Sequence, residues 1–282
     1  MISHRKLILL SLTLLLFCGF TLPSFHELER RGFESLLNTT LRDYFAGTLK
    51  VDEARIGRDL RLHLSGLRGE MVTRERPVAI ELARIDSIEP LPRILLLKPV
   101  HFDFAGLRPI SSPLQGVSGK ARVKPGWKWA FELAADIESL GLEDIIWVNP
   151  DSLAGSTGRM TGVLEIKADY TGHSEFTMDL AVPDPGGNLQ ARFFEVVTPY
   201  LPKKSSKKKT TALAETHEVI GYKQASLSAK LENDDQVKML LRILIPDYNL
   251  NLNLNLLVKV DEKNAFLKLF ELMGILQEQK TR

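Results

Sequence analysis

The amino-acid sequence predicts a mainly β protein: an elongated, curved antiparallel sheet that forms a groove, with short flanking helices and an N-terminal transmembrane helix. Short segments with an apolar residue at every second position recur roughly every 8–15 residues, and glycine or proline separates most of them. Because no long helical pattern lies between these segments, they favour an antiparallel meander over βαβ units. An uncharged apolar run near the N-terminus predicts the transmembrane helix.

The longest alternating segment is Gln236–Asp261. From Tyr248 to Val260 every second residue is apolar, which is typical of a strand with one apolar and one polar face. These residues, about 13 of them, would span roughly 40 Å, about twice the length of a usual strand. Upstream, Val237–Ile245 alternates with the opposite parity, and Pro246 at the change predicts a bend or a bulge. Two interpretations follow: an ordinary half-buried strand, or one strand of a sheet whose apolar face forms a groove.

The N-terminus predicts a membrane anchor in residues 1–23. Arg5 and Lys6 precede Leu7–Leu22, an apolar run of about 16 residues, which lies between the length of a signal-peptide core and that of a full span. No A-x-A-like cleavage site follows the run, which favours an uncleaved anchor. A cleaved signal peptide and a lipoprotein modified at Cys18 are the alternatives. With the basic residues on the cytoplasmic side, the rest of the chain would be exported.

The exported part divides into a juxtamembrane amphipathic helix, residues 24–47, and a β-rich body, residues 48–282. Apolar residues in the helix recur at spacings of three and four, and Gly47 is well placed to end it. Strand patterns then follow one another to Ala135. We interpret the next segment, Asp136–Val148, as a short helix or an irregular apolar segment.

The second half of the body contains two more strands, Gly162–Tyr170 and Glu175–Val182, and a short helix at Asn188–Val197. A lysine-rich run then predicts a mobile loop at about 203–216. Its interpretation is either a solvated loop or a basic contact with anionic lipid head groups. A final helix at 263–279 is expected to cap the sheet. The basic-loop residues are Lys203, Lys204, Lys207, Lys208 and Lys209.

No motif in the sequence predicts an enzyme. The single cysteine lies in the apolar N-terminal run, so the body has no thiol for catalysis, a disulfide or a thiolate metal site. The six histidines are not spaced as metal ligands, and His63 and His101 occupy the polar positions of their strands. A net charge of +2 is too small to predict nucleic-acid binding. We therefore predict a non-enzymatic protein with no catalytic residue, cofactor, metal or nucleic-acid partner.

The order of these parts resembles the AsmA-like superfamily of bacterial envelope proteins, and in size the chain is most similar to the type II secretion protein N branch. Three segments carry the resemblance: TLKVDEARIGRDLRLHLSGLRGE (48–70), RIDSIEPLPRILLLKPVHFDFAG (84–106) and LEDIIWVNPDSLAGSTGRMTGVLEIKADY (142–170). The resemblance implies a taco-like β-groove in the periplasm, anchored in the bacterial inner membrane by one span. Larger members are thought to move phospholipids along such a groove. One copy of the unit is too short to cross a periplasm, which implies a partial groove, an oligomer or an adaptor.

The leading functional hypothesis is a protein that handles or transports lipid, or takes part in outer-membrane biogenesis, by burying acyl chains against an apolar sheet face. The alternative is a structural component or adaptor of an envelope assembly, such as a type II secretion system, that binds no lipid. Its partners would then be other envelope proteins, recruited by strand addition to exposed sheet edges. The candidate groove residues are Leu250, Leu252, Leu254, Leu256, Val258, Phe102 and Phe104.

Overall fold

The computed structural model describes residues 26–40, 45–71, 78–93, 96–143, 155–201, 204–216, 219–233 and 236–259. The described part of the chain contains three α-helices: α1 (His26–Thr40), α2 (Ala191–Val197) and α3 (Lys204–Glu215). Its strands are β1 (Phe45–Lys50), β2 (Glu53–Ile56), β3 (Leu62–Met71), β4 (Val78–Ser87), β5 (Val100–Pro109), β6 (Gly116–Lys124), β7 (Ala130–Gly141), β8 (Thr157–Asp169), β9 (Ser174–Val182), β10 (Gly187–Gln190), β11 (Val219–Tyr222), β12 (Gln224–Asn233), β13 (Gln236–Ile245) and β14 (Leu250–Lys259).

These strands form one antiparallel sheet of 14 strands, which confirms the prediction of a mainly β, antiparallel fold. From β3 to β9 each strand pairs with the next one along the chain. Strand β9 then pairs with β12, because the intervening chain leaves this path to form β10, α2, α3 and β11. Strands β1 and β14 lie at the two ends of the order, so the sheet is not closed into a barrel.

The connections between the strands lie at two opposite ends of the sheet, because neighbouring antiparallel strands run in opposite directions. The β4–β5, β6–β7 and β8–β9 connections share one end, which we name the upper end. The β5–β6, β7–β8 and β13–β14 connections share the other end, which we name the lower end.

One face of the sheet is apolar from β3 to β14. Because side chains alternate across a strand, residues paired directly between neighbouring strands lie on the same face. A single line of paired residues crosses ten successive positions of the sheet order without meeting a polar side chain. This apolar row is Leu64, Ile85, Phe104, Gly119, Ala135, Leu164, Met178, Ala229, Met239 and Leu256.

The opposite face is polar, and charged side chains on it pair across neighbouring strands. Arg108 donates to Glu81 over 2.8 Å, and Lys167 donates to Glu175 over 2.7 Å. Both pairs join residues that lie directly opposite each other in the register. Such pairs stabilise a sheet modestly when exposed, so their main consequence is to keep this face in water.

The C-terminal alternating segment is a hairpin rather than one long bent strand. Strand β13 ends at Ile245, a short turn follows at Pro246–Tyr248, and β14 begins at Leu250 and has 10 residues. Asn249 closes the turn in the left-handed region, at φ 45°. The change of parity predicted as a bend therefore reverses the chain. The register pairs Ile245 with Leu250, so the apolar residues of both strands share one face.

At the N-terminal side, α1 is shorter than the predicted helix at 24–47. It ends at Thr40, and Gly47 lies within β1 instead of ending the helix. Asn38 ties the helix to the sheet, since its amide group accepts a hydrogen bond from the Leu49 N–H over 2.6 Å. Phe33 packs on the buried cluster of Val51, Ala54 and Leu64.

Three other segments differ from the sequence prediction. The predicted helix at Asn188–Val197 begins only at Ala191, because the residues before it form β10. Asp136–Gly141, expected to be helical or irregular, belongs to β7, because buried Ala135 and Ile137 alternate with exposed neighbours as in any half-buried strand. The expected mobile loop at 203–216 is the helix α3 over most of its length. It is held in place because Leu213 is fully buried in the core beneath it.

Two predicted segments, the anchor at 1–23 and the capping helix at 263–279, lie outside the described residues. In the part of the chain that the structure does describe, no helix has both the length and the apolar character needed to cross a bilayer.

Candidate functional site

The strongest candidate site is a cavity between the apolar face of the sheet and helix α2. The chain between β9 and β12 forms a second layer over the lower end of the sheet, and α2 packs there against β9, β12, β13 and β14. Within α2, Phe194 is fully buried in the core and meets Phe193 edge to face, with 5.4 Å between the ring centroids. Burial of Phe194 in the core fixes the helix over the sheet, while Phe193 also borders the cavity.

The cavity has a volume of about 310 Å³ and opens to solvent on one side. This volume is at the lower end of the usual range for small-molecule pockets, roughly 300–1,000 Å³. Among the described residues that line it, none carries a charge, and the polar ones are Tyr222 and Ser226. The lining residues are Leu142, Met160, Leu180, Ala181, Val182, Leu189, Phe193, Val196, Val197, Tyr222, Ala225, Ser226, Leu227, Met239, Leu241, Ile243, Leu254 and Leu256.

The phenol of Tyr222 is held neutral at the inner end of this cavity. Its hydroxyl donates a hydrogen bond to the Thr157 carbonyl oxygen over 3.1 Å. Burial, and to a smaller extent the nearby charge of Glu143, raise the pKa of Tyr222 to about 12. With its only donor satisfied by the backbone, Tyr222 presents its ring to the cavity without adding a polar group that a ligand would need to match.

The cavity chemistry suits an aliphatic or acyl ligand. A polar ligand buried there would lose its hydrogen bonds to water and find almost no replacement, which costs roughly 1–3 kcal/mol for each unpaired group. An acyl chain loses nothing of this kind and gains about 0.8 kcal/mol for each methylene removed from water. The half-open mouth would leave a polar head group in solvent.

Among the predicted groove residues whose side chains the structure describes, which excludes Val258, two line this cavity. Leu254 and Leu256 line it, whereas Leu250 and Leu252 lie in the closed core below α2 and α3 and are inaccessible to a ligand. Val258 occupies the strand position opposite Val237.

Phe102 and Phe104 lie half-buried on β5 and are not part of the cavity. Both point to the apolar face, since Phe104 belongs to the apolar row and Phe102 is paired with Ala121 on the same side. Six strands of the sheet order, β6, β7, β8, β9, β12 and β13, separate them from β14. They belong to the open middle of the apolar face.

Several cavity residues were not among the predicted ones. Leu180, Leu227 and Leu241 line up across β9, β12 and β13 at the cavity, although they are far apart in sequence. Their alternation predicted strands and an apolar face, but no local signal indicates which part of that face remains uncovered. Val196 and Val197 lie on the helix side that the sequence identified as apolar.

The predicted basic residues serve mainly to hold α3 in place. The Lys209 ammonium donates to the Asn249 carbonyl oxygen over 2.8 Å and so ties α3 to the β13–β14 turn. Lys207 donates to the Pro199 carbonyl oxygen over 3.3 Å, and Lys208 is exposed. Lys203, like the side chain of Lys204, lies outside the described part of the chain.

A second, polar cleft lies on the other face of the sheet near the upper end of β2–β5, with a volume of about 600 Å³. Its centre is Asp86, which is 2.8 Å from the ring of His63 and 2.9 Å from the guanidinium of Arg84. The Asp86 carboxylate is thus already engaged by two side chains. The described residues contain no group of three or more His, Cys, Asp or Glu side chains that could hold a metal ion.

The second histidine singled out in the sequence, His101, is also paired. Its ring lies 2.7 Å from one oxygen of Glu89, and its backbone N–H donates to the other oxygen over 2.7 Å. Burial alone would raise the pKa of Glu89, but these hydrogen bonds, with the charges of His101 and Arg93, lower it below its ordinary value. This carboxylate is a structural link between β5 and the β4–β5 connection.

Comparisons with known proteins return no relative for this chain: no protein-family model, no curated protein and no solved structure matches it.

Proposed function

We propose that this protein is a non-enzymatic, membrane-anchored envelope protein of the AsmA-like kind that binds the acyl chain of a lipid. The observation that carries the proposal is the uncharged cavity of about 310 Å³ on the apolar face of the sheet. The long antiparallel sheet with one apolar face supports the same assignment, because it is the architecture that the resemblance implies.

The size of the cavity supports partial burial of one chain rather than enclosure of a whole lipid. An engineered apolar cavity of roughly 150 Å³ holds one benzene molecule, so a cavity about twice that size holds a short length of acyl chain. Five methylenes buried there would contribute about 4 kcal/mol, or roughly a thousandfold in affinity before the costs of binding. The rest of the chain would lie along the open apolar row toward β5.

In this proposal the sheet is a curved, groove-like surface in the periplasm, and one span within residues 1–23 anchors it in the bacterial inner membrane. The lipid would be a phospholipid delivered from or to a membrane, in lipid transport or outer-membrane biogenesis. No nucleic acid, cofactor or metal takes part in it. Among the described strands, β14 pairs only with β13. Its other side is therefore an edge of the described sheet.

That strand edge favours a second candidate function, a lipid-free structural component or adaptor of an envelope assembly such as a type II secretion system. An added strand from a partner protein would extend the sheet beyond β14 by backbone hydrogen bonds. The cavity would then be an incompletely filled core, and no lipid would copurify with the protein.

Site-specific photocrosslinking of the full chain in cells separates the two functions. Benzoylphenylalanine at Leu227, which lines the cavity, should give a lipid adduct detectable by mass spectrometry. The control position is Ser228, the next residue of β12, whose side chain lies on the polar face; it should give none. The substitution Ala225→Phe, which fills the cavity from the same strand, should reduce the adduct at Leu227.

Absence of lipid at Leu227 in a folded protein would contradict lipid binding. Equal adducts at Leu227 and Ser228 would do the same, because they would report contact with bulk lipid rather than a site. A protein adduct at an edge position of β14, such as Leu257, together with no lipid adduct, would favour the adaptor.

A further inference from the structure

A group of exposed apolar side chains lies at the upper end of the sheet, on the opposite end from the cavity. Trp127 is 71% exposed and Leu96 is 67% exposed, values that are unusual for such large side chains. The group comes from three separate connections: β4–β5, β6–β7 and β8–β9. We name it the aromatic tip; its residues are Leu96, Leu97, Trp127, Trp129 and Tyr170.

The three connections contact one another, so the aromatic tip is one continuous surface. The rings of Trp127 and Tyr170 meet edge to face with centroids 6.2 Å apart, and the Tyr170 N–H donates to the Trp129 carbonyl oxygen over 3.0 Å. Leu97 packs over Gly126, where an added Cβ would lie 3.2 Å from the Leu97 Cδ2 atom. These contacts hold the apolar side chains outward in a fixed arrangement.

The backbone of Leu97, an exposed residue of the aromatic tip, is strained. Its φ of 54° lies in the left-handed region, which a branched residue such as leucine rarely adopts. Because the Leu97 side chain is exposed, its burial does not offset the free-energy cost of this backbone conformation. Strained backbone of this kind accumulates at binding sites.

Two exposed basic side chains border the aromatic tip. Lys98 and Lys128 are exposed beside it, and the Lys128 ammonium lies 4.6 Å from the centroid of the Trp127 ring. The nearby carboxylates are already engaged. Glu89 accepts from His101, and Asp169 accepts from the Thr171 N–H over 2.8 Å. A surface of tryptophan, tyrosine and leucine with exposed lysines at its margin suits an anionic lipid surface.

The course of α1 points to the same occupant. Asn38, near the end of α1, bonds to Leu49, whereas Arg30, two turns earlier, donates to the Val51 carbonyl oxygen over 3.1 Å. Strand β1 runs toward the upper end as its numbers rise, so α1 runs in the opposite direction, and its first residue, His26, faces the upper end. The first described residue therefore lies at the upper end, on the side of the aromatic tip, and the predicted anchor at 1–23 precedes it in the sequence.

We propose that the aromatic tip docks on the surface of a lipid bilayer that contains anionic phospholipid, with Trp127 and Leu96 in the interfacial layer. The bilayer is the one that holds the predicted anchor, so the inference rests on the anchoring part of the proposed function. It does not depend on lipid in the cavity. Docking would hold the sheet upright on the membrane, with the cavity at its far end.

The test uses the full chain in vesicles of phosphatidylcholine with phosphatidylglycerol, brominated on their acyl chains. A version with Trp127 as its only tryptophan reports on the tip. The control version has no native tryptophan and carries Tyr248→Trp, in the β13–β14 turn at the lower end. Tyr248 is 41% exposed and Trp127 is 71% exposed, so an exposed ring is present in both places.

We expect brominated lipid to quench the emission of Trp127, and the emission to shift to shorter wavelength on docking. The emission of the Tyr248→Trp control version should be unaffected. Lys98→Glu with Lys128→Glu should remove the quenching, and Lys208→Glu on α3 should not. Each lysine near an anionic surface contributes about fivefold to the occupancy ratio. Vesicles without phosphatidylglycerol should quench Trp127 less.

Three outcomes would overturn the inference. If the protein stays with the vesicles and neither tryptophan is quenched, the anchor holds and the tip does not dock. If both are quenched alike, the contact is nonspecific. If Trp127 is shielded from iodide without any lipid, the tip is covered by another protein surface. A lipid adduct at Leu227 in the presence of any of these results would show that the cavity function stands without the docking.

Discussion

Leu252 offers the sharpest test of where the apolar face of the sheet is closed. Its side chain is 0% exposed in the core beneath α2 and α3, although the sequence pattern places it in the groove. Replacement by alanine removes buried methyl groups and leaves a cavity that the surrounding β-sheet fills only in part. Leu→Ala changes at such positions cost about 3–5 kcal/mol.

The matched control is Leu257→Ala, five positions later on the same strand. Leu257 is 60% exposed and lies opposite Lys238 on the polar face, so its truncation should change the free energy of unfolding by less than about 0.5 kcal/mol. For a body of this size each kcal/mol corresponds to roughly 2–4 °C in Tm, so Leu252→Ala should lower Tm by at least about 6 °C.

Thermal unfolding of the full chain in detergent, followed by circular dichroism in the β-sheet region, measures both variants under identical conditions. Equal shifts for Leu252→Ala and Leu257→Ala, within about 2 °C, would refute the reasoning, because they would mean that both faces of β14 are equally solvated. In that case Leu252 would be an open groove residue after all.

Three further predictions concern single contacts. Glu89→Gln should lower Tm at pH 7, because the lowered pKa of this carboxyl group stabilises the fold at pH values above the ordinary pKa of glutamate. The difference from the parent should shrink as the pH falls through the lowered pKa, which unfolding across pH measures. Gly119→Ala should destabilise the sheet, since its Cβ would clash with the Ala134 carbonyl oxygen of β7, whereas the Cβ of Gly221→Ala meets nothing nearer than 3.9 Å and serves as control. Tyr222→Phe should cost about 1 kcal/mol in chemical unfolding and leave lipid adducts unchanged.

The sequence shows which face of each strand is apolar, but it does not show which strands pair with each other. In β8 and β9 the alternation of Leu164, Ile166 and Met178 is local, so the apolar side of each strand is visible without the fold. At Pro246 the pattern shows only that the parity changes. After a bend the chain continues as the same strand, whereas after a turn it reverses and forms a second strand. Which of the two occurs depends on whether β13 can pair with β14.

Helix α3 shows how tertiary contacts override a local signal. The lysine-rich run repels itself and has few apolar residues, which is typical of a solvated loop. The helix forms because Leu213 is buried against the core and Lys209 finds carbonyl acceptors in the β13–β14 turn. Both partners are distant in sequence. The cavity escapes prediction for the same reason, since it is the gap left where α2 meets strands of distant origin.

The cavity and the aromatic tip acquire a common role when their positions on the sheet are compared. Between the upper and lower ends, half-buried Phe131, Leu133 and Leu164 continue the apolar face through β7 and β8 toward Met178. An acyl chain that left a bilayer at the tip would therefore meet no charged side chain on this face before it reached the cavity. A charge placed midway tests this route: Leu133→Lys should abolish the lipid adduct at Leu227 while the tip still docks. If the adduct persists, lipid enters the cavity from the lower end, and docking and lipid binding are separate properties of the molecule.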